Sequence, residues 1–201
     1  GKSVLTLQLA ACAALGRPFF GLQMRFAMRV LYIQAEDDLG DVGEAVQGFR
    51  DGYGLTDSDL VELKKRLRIV RWNDATGEKF LARLRAEHAK WPFDLVLINP
   101  LFSYCGCNVS DQKEMSAFLR NGLNPILNDT RAACGIVHHT NKPPTDPKSQ
   151  PSEAGADQRY LGSGSAELTN WARCYVTLQG VRSAGDMVHK MIFAKRGKRA
   201  G

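Results

Sequence analysis

No stretch of the chain approaches the ~20 consecutive apolar residues that a membrane-spanning helix needs, and no basic-then-apolar leader runs up to a small-residue cleavage site. A cytoplasmic protein with no membrane partner is expected. The five cysteines, Cys12, Cys105, Cys107, Cys134 and Cys174, are odd in number and contain no C-x-x-C pair, so neither a disulfide framework nor a zinc knuckle is indicated. Cys105-Gly106-Cys107 can chelate a metal, but one intervening residue suits a tetrahedral site poorly, and a flexible loop is the simpler reading. Charge of one sign does not dominate. With 27 Lys+Arg against 21 Asp+Glu the net charge is +6, which permits an anionic partner such as nucleic acid without demanding one. Part of the excess is the cluster Lys195, Arg196, Lys198 and Arg199, which reads as a solvated tail. The 201 residues, 44% of them hydrophobic, suit one domain with its own core rather than disorder.

A further absence lies at the start. Gly1-Lys2-Ser3, followed at once by an apolar helical run, is the back half of a phosphate loop whose front half is missing. The complete loop, G-x-x-x-x-G-K-[ST], wraps phosphate with backbone N–H groups, reaches the β/γ oxygens with lysine and holds Mg²⁺ with the hydroxyl. Taken alone, the tripeptide is as compatible with a surface turn. The expectation is a single domain over 1–201 that is truncated within this loop, a fragment lacking the strand before it.

Periodicity then predicts alternating helices and strands. An Ala/Leu-rich helix over Ser3–Leu15 is stopped by Gly16-Arg17-Pro18, and its N-terminus would turn a positive dipole end toward phosphates. Arg29–Gln34 and Phe93–Pro100 are short, apolar and β-branched, as strands covered on both faces are. Helices are expected over Leu39–Phe49, Asp57–Leu67 (capped by Thr56 or Asp57), Gly77–Lys90 and Gln112–Asn128, the last with a kink at Gly122 or Pro125. Arg68–Val70 suggests an edge strand and Cys134–His139 another buried one. The stretch Asn141–Gly164 is too long and too rich in Pro, Ser and Gly for an ordinary connection. A short helix near Ser165–Trp171 precedes two strands, Arg173–Leu178 and Met187–Lys195, that read as an antiparallel hairpin. The fold class is α/β, three-layered, with a mainly parallel sheet and a C-terminal hairpin.

In such sheets ligands bind outside the carboxyl ends of the strands. The polar residues gather there: Glu36 with Asp37, then Asn99, then His138, His139 and Thr140, on the edge where Gly1-Lys2-Ser3 opens its helix.

With Asn99-Pro100-Leu101, His138-His139-Thr140 before Lys142, and Gly162–Ser165 leading into Trp171-Ala172-Arg173, this order resembles the RecA-like P-loop ATPases. Within them it is most similar to the RepA-like branch of hexameric helicases, also called AAA family ATPases. The resemblance implies ATP and Mg²⁺ as cofactors, with Gly1, Lys2, Ser3, Asn99 and His138 binding the nucleotide. Ser3 would coordinate the metal and Asn99 would touch it weakly through water. Glu36 would orient or deprotonate the attacking water, His139, or else His138, would sense the γ-phosphate, and Arg173 would act as an arginine finger toward a neighbouring subunit. A hexameric ring and single-stranded DNA, met by Asn141–Tyr160 with Lys142, Lys148 and Arg159, are the implied partners, although Asp146, Glu153 and Asp157 offset that charge.

Glu36 also reads as a solvated carboxylate, either histidine as a satisfied polar residue, and Arg173 as a surface arginine. Two departures from the family pattern stand out. Asn99 replaces the aspartate that holds the metal shell, so an amide that adds no negative charge faces a divalent ion, and weak Mg²⁺ affinity with slow turnover is expected. The absent first strand would leave two neighbouring strand edges bare. The leading function is an ATP-driven motor acting on DNA; the alternatives are a non-hydrolysing nucleotide- or DNA-binding module and a small nucleotide kinase.

Overall fold

The computed structural model describes residues 2–139, 166–183 and 186–195. Gly1, Thr140, the Asn141–Tyr160 segment with its lysines, Gly162–Ser165 and the terminal Arg196, Lys198 and Arg199 lie outside them.

Helix α1 (Lys2–Leu15) buries Leu7, Ala10, Ala11, Cys12, Ala13 and Ala14, small side chains that let its axis lie close to a sheet. It ends at Gly16 (φ 67°), whose neighbour Arg17 returns an N–H to the Cys12 carbonyl at 2.9 Å. Strand β1 (Val30–Gln34) is buried at every position, as its apolar run requires. Helix α2 (Leu39–Tyr53) opens with a capping box between Asp38 and Asp41 and closes at Gly54 in the left-handed conformation. Thr56 and Asp59 make the same box for α3 (Asp57–Arg66). Strand β2 (Leu67–Arg71), helix α4 (Gly77–Lys90), strand β3 (Leu95–Asn99) and the four-residue helix α5 (Phe102–Cys105) follow.

The helix expected from Gln112 is continuous but not uniform. Its first turn, α6 (Gln112–Ser116), passes into a π-helical stretch, Ala117–Leu123, before α7 (Asn124–Thr130). Within it the Asn124 N–H reaches back five residues to the Leu119 carbonyl, which absorbs the register change next to Pro125, a residue with no N–H to give. Strand β4 (Ala133–Ile136) is shorter than predicted, so His138 and His139 lie beyond the strand rather than in it. Helix α8 (Ala166–Trp171) docks through Trp171 Nε1, which donates to Asn124 Oδ1 at 2.8 Å, and through the buried Glu167, which accepts from Arg120. Strands β5 (Tyr175–Ser183) and β6 (Asp186–Lys195) form the antiparallel hairpin, with β5 running on through Gly180 where a connection was expected.

Four strands make one parallel sheet in the order β2-β1-β3-β4. Alternate side chains feed two cores: Leu31, Ile33, Val96 and Ile98 pack with α4 to α8, while Val30, Tyr32 and Leu97 pack with α1 to α3. The three-layer α/β architecture and the terminal hairpin thus match the expectation. The pair of bare interior edges does not. Strands β3 and β4 pair directly from Leu95↔Ala133 to Ile98↔Ile136, each satisfying the other's ladder groups. A Cβ on Gly135 would lie 2.5 Å from Leu97 Cδ2, so a larger residue there would push that side chain aside. Among the described residues no helix is long and apolar enough to cross a membrane.

Candidate functional site

Parallel register sets Arg71, Gln34 and Asn99 side by side at the carboxyl edge of the sheet. Helix α1 begins against the same edge. The Asn99 side chain, 4% exposed, donates both amide hydrogens: one to Ser3 Oγ at 3.1 Å, the other to the Tyr32 hydroxyl at 2.8 Å. Burial pushes the Tyr32 phenol up to about 12, so it stays a neutral hydroxyl at ordinary pH. One residue earlier on α1, Lys2 Nζ lies 3.1 Å from His139 Nδ1. An ammonium has only hydrogens to give, so Nδ1 is the acceptor and the neutral ring carries its proton on Nε2.

The loop after β1 is fixed from below. Gln34, 2% exposed, donates from Nε2 to the Asp37 carbonyl and accepts from the Asp37 N–H, both at 2.8 Å. These two bonds clamp the backbone just where the chain turns into α2. A cleft of about 640 Å³ then opens between α1, the end of β1 and α2, with Lys2, Ser3, Tyr32 and Asp37 on its walls together with Asp41 and Glu44. Three carboxylates and one ammonium therefore face the same space.

The sequence-predicted residues divide into two groups. Lys2, Ser3, Asn99 and His139 come together at one edge. Glu36 stands in the same loop but is exposed and lies outside that cleft, its charge felt instead by the Tyr104 hydroxyl. Arg173 and His138 line a separate cleft of about 1050 Å³ bounded by β4, α7, α8 and β5. Arg173, which is exposed, does not join Lys2 and Ser3. Gly1 lies outside the described residues. The Cys105 thiol points at the Phe102 and Cys107 carbonyls, and burial beside Cys105 pushes the Cys107 thiol up to about 12. Among the described residues no group of three or more His, Cys, Asp or Glu side chains is placed to hold a metal on its own.

Sequence reasoning did not single out Tyr32 or Gln34, which sit inside a buried strand and read as core. The only signal was polarity at inward positions of an otherwise apolar run. A family model described as an AAA domain matches residues 1–145. No curated protein matches the sequence.

Proposed function

The chain belongs to the AAA domain family, and from that premise we propose that it binds Mg·ATP at the carboxyl edge of its sheet and hydrolyses it as a cytoplasmic, DNA-acting motor of the RecA-like, RepA-like kind. What carries the reading is the meeting of Lys2, Ser3, Asn99 and His139, residues up to 137 positions apart, around one edge. Phosphoryl transfer asks mainly for positioned charge, and this edge offers it.

Mg²⁺ suits the donor set. Ser3 Oγ is a hard oxygen at the helix start, the cleft is rich in carboxylates, and a nucleotide brings its own phosphate oxygens. When bound, the ion would neutralise phosphate charge. Lys2 places an ammonium on the β/γ-phosphates, with His139 beside it as a neutral imidazole able to answer the presence of the γ-phosphate. The α1 N-terminus adds its dipole. Glu36, exposed next to the cleft, is the base that orients or accepts a proton from the attacking water. Arg173, remote from this edge and exposed, is offered to the nucleotide of a neighbouring subunit in a ring.

Asn99 favours one competing reading, a module that binds nucleotide without turning it over, because it brings an amide rather than a carboxylate to the hydroxyl of Ser3. Measuring ATP affinity and turnover separately, with and without single-stranded DNA, on the protein at its natural length decides between them. Turnover that rises with DNA supports the motor. Tight binding with no turnover in either condition supports the module.

A further inference from the structure

We infer that Asp37 is the carboxylate that faces the divalent cation of a bound nucleotide, supplying the negative charge that Asn99 lacks. The inference rests on the nucleotide-binding reading above and assigns a residue within that site.

Asn99 is committed as a donor. Both of its amide hydrogens point at hydroxyls, Ser3 at 3.1 Å and Tyr32 at 2.8 Å, so its place beside Ser3 presents hydrogens where a cation's shell needs lone pairs. Any negative charge must come from elsewhere on the cleft wall. Of the three carboxylates there, Asp41 is occupied by the capping box, its Oδ2 accepting from the Asp38 N–H at 3.2 Å. Glu44 lies three residues farther along α2, nearly a turn beyond the edge. Asp37 is the first residue of the loop to face the space shared with Lys2, Ser3 and Tyr32.

Its surroundings fit that role. Among the described residues no ion pair engages the Asp37 carboxylate, and its only hydrogen bonds are those of its backbone to Gln34. A buried glutamine uses both ends of its amide to fix this one backbone position, so the residue that follows the strand is held in a set place. The same clamp separates two neighbours: Asp37 turns into the cleft while Glu36 stays outside it. One carboxylate is thereby given to the cation and the next to water. Three carboxylates against one ammonium also disfavour a bare triphosphate, so the cleft selects the metal complex over the free anion.

The test uses the protein at its natural length and a fluorescent ADP, which reports binding without turnover, titrated with Mg²⁺. Asp37→Asn is expected to raise the Mg²⁺ concentration for half-maximal ADP binding about tenfold, while ADP binding without Mg²⁺ is unchanged or slightly tighter. Adding Asn99→Asp to that variant should bring the midpoint back toward the wild-type value, a rescue that repair of a purely structural defect would not produce. An unshifted midpoint in Asp37→Asn overturns the inference alone, and so does a shift that Asn99→Asp fails to reverse. If the wild-type protein binds no ADP at any Mg²⁺ concentration, the nucleotide-binding reading falls and takes this inference with it.

Discussion

At the scale of single residues, the polar groups buried under the sheet edge decide what the site can do. Asn99 and Gln34 are both nearly inaccessible; Asn99 gives both amide hydrogens to Ser3 and Tyr32, and Gln34 uses both ends of its amide on the backbone of Asp37. Hydrogen-bonded in this way, buried amides hold geometry at little cost. Tyr104 is the contrasting case. It is fully buried and stacked on Phe80 with centroids 4.8 Å apart, yet its hydroxyl has no hydrogen-bond partner among the described residues. Burial pushes this phenol well above its ordinary range, with the neighbouring Tyr32 hydroxyl adding to the effect. An unpaired hydroxyl costs ~1–3 kcal/mol in lost hydration, so Tyr104→Phe should raise the urea midpoint, by the equivalent of about 1 kcal/mol. A lower midpoint would mean that the hydroxyl does have a hydrogen-bond partner.

At the scale of elements, the sequence announced most of what folds by local rules. Strands β1 and β3 follow from apolar runs, and α4 spans the predicted Gly77–Lys90 because its pattern and its flanks agree. Helix α5 was not legible, since four residues show no period, and neither was the π-helical stretch, which depends on how the chain accommodates Pro125 within a packed helix. The polar residues that meet beyond the strand ends were visible through the edge rule; Tyr32 was not, because an inward tyrosine in a buried strand looks like packing. Close backbone contacts were equally invisible. Gly106 ends α5 at φ 63°, and a Cβ there would sit 2.7 Å from the Gly77 nitrogen and 3.0 Å from its Cα, at the start of α4. Backbone cannot swing aside as a side chain can. Gly54, with φ 57°, has nothing within 4 Å of the same position. Thus Gly54→Ala should cost only the left-handed penalty of about 1 kcal/mol, and Gly106→Ala at least ~2 kcal/mol, the penalty plus the displacement of α4 from α5. Equal shifts in chemical denaturation would show that the two helices are free to separate.

At the scale of the whole molecule, the parallel sheet brings distant sequence positions to one edge. The order β2-β1-β3-β4 puts the ends of β1 and β3 side by side, with α1 opening against them, and the loop after β4 brings His139 to Lys2. The family assignment over residues 1–145 covers all of these elements. The hairpin and Arg173 lie beyond that span and border the second cleft. On the proposed function, the Lys2 ammonium, beside Ser3 and His139, receives the triphosphate. Equilibrium titration of the natural-length protein with Mg·ATP, comparing wild type with Lys2→Ala, tests this most directly. Saturable binding by wild type that weakens at least about tenfold in the variant, the loss of one charge-assisted contact, is the predicted result; equal affinity for both proteins would contradict it.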